Sequence, residues 1–223
     1  MGKYIIFDAG PLISLSMNGL LYILEELKKE CDCEFLITPQ VKKELIDKPL
    51  KIKKFELEAI KIKSLMEKNV LHPSSRIFSD SKLASETRKI LESANSCLTA
   101  DSKNITLIQE GEASCLALAK LCNCENLLVI DERTTRLLAE SPEALQKMME
   151  RKLYTKINVK SSCTSAFKKF KIIRSSELLY IAYKKNLLGL GKEKAVLDAI
   201  LYASKFHGTA ISSEEIEDIK KLA

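Results

Sequence analysis

Acidic residues that follow apolar runs are the clearest candidates for chemistry in this sequence. Asp8 directly follows residues 4–7 (Tyr-Ile-Ile-Phe), and Asp131 directly follows residues 126–130 (Asn-Leu-Leu-Val-Ile). Short apolar runs of this kind are typical of buried strands. Parallel sheets bind ligands outside the carboxyl ends of their strands. We therefore expect both carboxylates to lie at the same edge of a sheet.

Two glutamates are placed to join these aspartates. Glu44 lies one turn into the helix predicted after a second apolar run, and Glu112 opens the helix predicted before the Asp131 strand. Clustered carboxylates raise one another's pKa unless a cation compensates. Their hard oxygen ligands select Mg²⁺ or Mn²⁺, ions suited to phosphodiester hydrolysis. The candidate catalytic and metal-binding residues are Asp8, Glu44, Glu112 and Asp131.

Each of these acids also has a purely structural interpretation. Asp8 is a residue type that favours the N-cap of the following helix. Glu112 is a residue type that the helix dipole favours in a first turn. Glu44 follows two lysines and fits a solvated helix face, and Glu132 fits either a helix start or a peripheral ligand. The residues alone leave these alternatives open.

The composition excludes several other mechanisms. The 223 residues include two histidines, which gives little support to Ser-His-Asp, Cys-His or multi-histidine metal sites. Seven glycines, without a G-x-G-x-x-G pattern, argue against a nucleotide-binding loop. The apolar runs are too short to span a bilayer, and the first residues lack the pattern of a secretory leader. We therefore expect a cytoplasmic protein with no membrane partner.

Short apolar runs alternate with helical patterns along the chain. This alternation predicts an α/β fold with a parallel sheet covered on both faces. Residues 12–27 read as two short helices broken near residues 18–19, and residues 112–121 read as a longer one. Residues 49–104 hold a lysine-rich helical part and a serine-rich polar part. We expect this stretch to be an insertion in the minimal plan.

Residues 151–174 contain eight basic residues and no acidic residue. Removing these charges would turn the net charge of the chain from +6 to −2. The segment is therefore the candidate RNA-contacting surface, in which Tyr154, Phe167 and Phe170 are available to stack on bases. The alternative is that both phenylalanines belong to the core. The candidate RNA-binding residues are Lys152, Lys156, Lys160, Lys168, Lys169, Lys171 and Arg174.

Four of the seven cysteines form two Cys-x-Cys pairs, which are Cys31 with Cys33 and Cys122 with Cys124. Both pairs precede predicted strands that flank the first strand, at the edge opposite the acids. Two strand spacings would separate the pairs by about 10 Å. A structural disulfide or a bound metal stays open, and we expect no catalytic role.

Four motifs, in this order, carry a resemblance to a known family. They are Ile5-Ile6-Phe7-Asp8-Ala9-Gly10-Pro11, Ile37-Thr38-Pro39-Gln40-Val41-Lys42-Lys43-Glu44, Gly111-Glu112-Ala113 and Val129-Ile130-Asp131-Glu132-Arg133. Together they resemble the PIN-domain family, and within it the prokaryotic, toxin-like ribonuclease branch. Gly10 is a departure, because many relatives have a small hydroxyl residue at that position.

The resemblance implies a single PIN-like domain over residues 1–223, with a flavodoxin-like or Rossmann-like three-layer α/β/α fold and a central parallel sheet of four or five strands. It also implies an endoribonuclease that cleaves single-stranded RNA with Mg²⁺ or Mn²⁺ held by the acidic cluster. The partners it implies are single-stranded RNA, a second copy of the chain, and an antitoxin or an RNA-processing protein. A second hypothesis is a non-catalytic PIN-fold module that binds RNA or protein in an RNA-processing or ribosome-related assembly.

Overall fold

A central parallel sheet of five strands organises the computed structural model, which describes residues 3–160 and 165–222. Its spatial order is β3-β2-β1-β6-β8, and every neighbouring pair is parallel. A second, antiparallel sheet has the order β5-β4-β7. The strands are β1 (Lys3–Phe7), β2 (Cys33–Ile37), β3 (Leu71–Pro73), β4 (Leu98–Ala100), β5 (Lys103–Asn104), β6 (Asn126–Val129), β7 (Asn158–Val159) and β8 (Ile172–Ile173).

Helices connect and cover the strands, as the alternating pattern predicts. They are α1 (Ala9–Met17), α2 (Tyr22–Glu30), α3 (Pro39–Lys42), α4 (Glu56–Glu67), α5 (Asp80–Asn95), α6 (Glu110–Cys122), α7 (Arg133–Glu140), α8 (Pro142–Leu153), α9 (Ser175–Lys184), α10 (Lys194–Phe206) and α11 (Ser213–Lys221). In the described ranges, none of the helices has both the length and the apolar character that a membrane crossing requires.

The core lies on both faces of the central sheet. Phe7 on β1 and Phe35 on β2 are fully buried, with ring centroids 5.4 Å apart in an edge-to-face arrangement. Complete burial of one such side chain stabilises the fold by about 2–3 kcal/mol. Strands buried on both faces require nearly continuous apolar runs, which explains why β1, β2 and β6 are readable in the sequence. The predicted three-layer α/β/α fold with five parallel strands is confirmed.

The strand order changes direction beside β1. Successive strands β2 and β3 lie on one side of it, whereas β6 and β8 lie on the other. Phe7 pairs with Val129, and the amide of Asp8 donates a 3.0 Å hydrogen bond to the carbonyl of Val129. A switch point of this kind opens a crevice at the carboxyl ends of the two strands, where Asp8 and Asp131 follow.

Residues 49–104, which are predicted to be an insertion in the minimal plan, contribute to the central sheet. They supply β3, an edge strand of the central sheet, together with α4 and α5. Helix α5 runs antiparallel to α6, and Glu86 in the first half of α5 pairs with Lys120 near the end of α6. At the other end of α5, the side chain of Asn95 bonds Ile108 just before α6 begins.

Candidate functional site

Asp8 lies at the carboxyl end of β1 and is 7 % exposed. It occupies the N-cap position of α1, yet its side chain makes no capping hydrogen bond. Burial raises the pKa of Asp8 to about 7, and the charges of Glu112 and Glu44 add to this effect, while the amides of Ala9 and Gly10 oppose it. The amides of Ala9 and Gly10 begin α1, so Asp8 lies at the helix start and among the acids at the same time.

Gly111 in α6 leaves space for two of the carboxylates. A Cβ at this position would stand 3.5 Å from Oδ1 of Asp8 and 3.4 Å from Oε1 of Glu44. The two side chains thus approach each other across a helix position that carries no side chain. In the sequence, this space is indicated by a glycine, Gly111, that directly precedes the predicted ligand Glu112.

Glu112 occupies the third position of α6 and faces Asp8. Its Oε2 accepts a 3.0 Å hydrogen bond from the amide of Gln109, which closes the first turn of the helix. Its charge is the second largest cause of the raised pKa of Asp8. Glu112 therefore bonds the start of α6 and lies near Asp8 at the same time.

Glu44 belongs to a π-helical turn, Lys43–Asp47, which continues α3. The amide of Lys48 donates a 3.0 Å hydrogen bond to the carbonyl of Lys43, five residues back. Partial burial raises the pKa of Glu44, and Glu112 contributes next. The residue as a whole is exposed, while its carboxylate lies beside Gly111. Turns of this type are rare and are frequent at functional sites.

Asp131 follows β6 and is 5 % exposed. The amide of Ser175 donates to Oδ1 at 2.7 Å, and the hydroxyl of Ser175 donates to Oδ2 at 2.9 Å. The hydroxyl of Thr209 donates to Oδ2 at 3.3 Å. Burial raises the pKa of Asp131 although these bonds oppose it. Gly10 lies between the two aspartates, since a Cβ there would be 3.7 Å from Cβ of Asp131 and 3.9 Å from Oδ2 of Asp8.

A buried group of hydroxyls forms hydrogen bonds around the side chain of Asp131. Thr209 lies 2.7 Å from the hydroxyl of Ser175 and 2.6 Å from that of Ser204, and Ser14 of α1 lies 3.4 Å from both Ser204 and Thr209. The group therefore ties α1, α9 and α10 to the end of β6. The sequence analysis does not identify these residues, because isolated serines and threonines in separate segments show no joint pattern.

The acids line one cleft of about 300 Å³. Its walls include all four predicted acids together with Gly10, Ile13, Gln109 and Glu132. Glu132 caps α7 by accepting from the amide of Thr134. Across residues 3–160 and 165–222, no three His, Cys, Asp or Glu side chains are already close enough together to hold one metal ion. A bound cation would therefore draw side chains inward, and the exposed Glu44 has the most freedom to move.

The predicted basic residues divide into different environments. Lys152, Lys156, Lys160, Lys168, Lys169 and Lys171 are exposed. Arg174 is 6 % exposed, and its guanidinium donates to Glu177 and to Glu215, each at 2.8 Å. This finding removes Arg174 from the RNA-contacting surface, because its donors are already used inside the protein.

The expectation that Phe167 and Phe170 stack on bases is wrong. Both side chains are buried, Phe167 at 1 % exposure, and their ring centroids lie 6.1 Å apart. They belong to the hydrophobic core, which was the stated alternative. Tyr154 remains 95 % exposed.

The cysteine pairs take different forms. Cys31 and Cys33 form a disulfide between the end of α2 and the start of β2. Cys122 and Cys124 carry thiols, and burial together with the neighbouring Cys124 raises the pKa of Cys122 to about 12. A disulfide within one pair thus takes the place of a bond or metal shared between the pairs.

Comparison with known families assigns the chain. The model of the DUF3368 family, described as a PIN domain, matches residues 4–146. The chain therefore belongs to the PIN-domain family, whose members are generally nucleases that use divalent metals. No curated protein and no solved structure matches the chain significantly. The toxin-like branch stays a prediction.

Proposed function

We propose that the chain is a divalent-metal-dependent endoribonuclease that hydrolyses single-stranded RNA. The observation that carries this proposal is the approach of Asp8 and Glu44 around Gly111, with Glu112 beside them. Burial and like charge raise the pKa of Asp8 to about 7, and a bound cation would relieve both penalties. The cluster costs stability in the absence of a cation, which favours a function over a structural role.

The donor set suits Mg²⁺ or Mn²⁺. Carboxylates of Asp8, Glu44 and Glu112 would hold the ion, because they offer hard oxygen ligands around one cleft. When bound, the ion supplies charge stabilisation at the phosphate and an acidified water. Asp8 must first give up its proton. Ser175 and Thr209 donate hydrogen bonds to the carboxylate oxygens of Asp131, so this fourth carboxylate keeps a fixed orientation.

Cleavage of a labelled, mixed-sequence single-stranded RNA tests the proposal. The reaction is run with Mn²⁺, with Mg²⁺ and with EDTA, using wild type, Asp8→Asn and Asp218→Asn. Asp218 is exposed on α11 and serves as the matched control for an aspartate-to-asparagine change. We expect metal-dependent cleavage by wild type and by Asp218→Asn, and a loss of about 100-fold or more in Asp8→Asn.

One observation favours the non-catalytic module as a second candidate. Both oxygens of Asp131 already accept hydrogen bonds from Ser175 and Thr209, which gives this acid a structural task. The same samples distinguish the candidates. If neither wild type nor Asp8→Asn cleaves but both bind RNA with an affinity that falls as salt rises, the binding module is the better account.

A further inference from the structure

Lysines of the segment 151–174 lie in two separate regions of the molecule. Lys171 directly precedes β8, and with Lys169 it lines a cavity that also contains Cys124 and Asn126. Asn126 starts β6, whereas Asp131 follows its end. A strand rises about 3.3 Å per residue, so about 16 Å separates these two levels. Lys169 and Lys171 therefore lie at the edge away from the acids; we call them the far surface.

Lys160 lies in a different region, next to the end of α5. The amide of Lys160 donates to the carbonyl of Cys97 at 2.9 Å, just after α5. Asn95, at the end of α5, bonds the amide of Ile108 at 3.0 Å and its carbonyl at 3.1 Å. Ile108 directly precedes Gln109, which lines the acid cleft. This chain of contacts connects Lys160 to the cleft without crossing the sheet.

Three further side chains join Lys160 there. Lys156 precedes β7, the strand that pairs with β4, and Lys103 lies on β5 in the same small sheet. Lys152 lies in the last turn of α8. All are exposed. We call the set Lys103, Lys152, Tyr154, Lys156 and Lys160 the near surface; Asp101, in the hairpin turn, is an acid among them.

Tyr154 has a backbone conformation that its side chain does not favour. It ends α8 with φ of +53°, in the left-handed region. Glycine or asparagine usually takes that position, and a bulky residue there is strained. Tyr154 is nevertheless 95 % exposed, and Lys152 and Lys156 lie two residues before it and two residues after it in the sequence. An exposed aromatic ring between cations is the arrangement that stacks on unpaired bases while lysines hold the phosphates.

We propose that the near surface binds the single-stranded RNA that enters the acid cleft, that Tyr154 stacks on one of its bases, and that the far surface lies outside the RNA path. The inference rests on the function proposed for the cleft, because it names the surface that delivers the substrate to it. The proposal assigns different roles to the lysines of the segment 151–174 according to their position, although all of them carry the same charge.

Binding is measured on the uncleaving Asp8→Asn background by anisotropy of a labelled single-stranded RNA over a range of salt. The near variant, Lys156→Gln with Lys160→Gln, is compared with the far variant, Lys169→Gln with Lys171→Gln, which loses the same charge. We expect the near variant to lose about tenfold or more in affinity at low salt, and its salt slope to fall by about 1.4. The far variant should stay within about threefold of its parent.

Tyr154→Ala should lower the affinity about fivefold or more, whereas Tyr154→Phe should retain it, because the phenyl ring still stacks. Equal losses in the near and far variants would overturn the proposal, as would unchanged binding in the near variant. Binding of polyglutamate in place of RNA, lost in the near variant, would also overturn it and assign the surface to an acidic protein.

Cleavage by wild type is scored separately. If wild type binds RNA through the near surface but does not cleave it, the proposed function is contradicted, and the role of the near surface in binding is retained. If both lysine variants cleave RNA fully and bind it with unchanged affinity, the near surface is not the RNA-binding site, and the proposed function is retained.

Discussion

At the residue scale, the unusual feature is a carboxylate that titrates near neutrality. The pKa of Asp8 is raised from 3.8 to about 7 by burial, and then by Glu112. A group whose pKa is higher in the folded than in the unfolded state favours folding at low pH. That contribution is lost as the pH rises through about 7, and it amounts to roughly 4 kcal/mol at most.

We therefore predict that the metal-free protein becomes less stable between about pH 4 and pH 7. Mg²⁺ or Mn²⁺ should raise the melting temperature more at pH 8 than at pH 5, because a cation competes with the proton on Asp8. Thermal unfolding with and without metal measures both effects. In Asp8→Asn the pH dependence should become shallower and the metal effect smaller. An equal metal shift at both pH values would contradict the assignment of Asp8 as a ligand.

Gly10 gives a second prediction at this scale. A Cβ at Gly10 would meet its neighbours at 3.7–3.9 Å, ordinary contact distances, so Gly10→Ser should fold normally. The new hydroxyl would lie near Oδ2 of Asp8, where a donated hydrogen bond lowers the pKa of the carboxylate. The expected result is a metal effect on the melting temperature that begins at lower pH than in wild type. Gly10→Ala, which adds the carbon without the hydroxyl, should leave that onset unchanged.

At the element scale, two adjacent serines at the start of α9 allow the effect of hydrogen bonding on stability to be measured apart from the effect of burial. Ser175 donates twice to Asp131, whereas the hydroxyl of the equally buried Ser176 has no hydrogen-bond partner among the described residues. Ser175→Ala removes the hydroxyl bonds to Asp131 and Thr209 and should lower the free energy of unfolding by about 1–3 kcal/mol.

Ser176→Ala is the matched control. It removes an unpaired polar atom, so it should be neutral or slightly stabilising. Urea unfolding measures both variants, and RNA cleavage should fall in Ser175→Ala alone. Similar losses of stability in the two variants would show that packing, and not the bonds to Asp131, is what matters at this helix start.

Particular elements show what the sequence could and could not reveal. The strands beside Asp8 and Asp131 are predictable because burial on both faces requires apolar runs. The edge strand β3 is only Leu71–Pro73, and its central residue, His72, is polar although buried. It therefore lacks the apolar run that marks a strand. The π-helical turn at Glu44 is also invisible, because one extra residue in a turn leaves the apolar periodicity almost unchanged.

At the scale of the whole molecule, Arg174 joins distant parts of the chain. Located after β8, it pairs with Glu177 in α9 and with Glu215 in α11. Arg174→Met removes the cation that is hydrogen-bonded to both carboxylates, while Arg136 remains 4.0 Å from Glu215. The change should lower the free energy of unfolding by about 3 kcal/mol. The exposed control, Lys171→Met, should change it by less than about 0.5 kcal/mol.

Denaturant unfolding and RNA affinity, measured on the same two samples, check this prediction. Arg174→Met should bind RNA with unchanged affinity under conditions where it is folded. A fully stable Arg174→Met protein with weakened RNA binding would return Arg174 to the RNA-contacting surface. Charge in a sequence window predicts a partner only after internal ion pairs are subtracted, and sequence alone does not reveal those pairs.

The hydrogen bond from Thr209 to Asp131 spans 78 residues, and this separation has a consequence for timing during synthesis. A ribosome adds about 5–20 residues per second, so about 4–16 s pass between the addition of Asp131 and the addition of Thr209. During that interval Asp131 lacks the hydroxyl of Thr209, although Ser175, which is added 44 residues after Asp131, is made earlier. A nascent chain therefore cannot complete the hydrogen bonding of Asp131 until Thr209 has been added, although β1, β6 and α9 are already made by then.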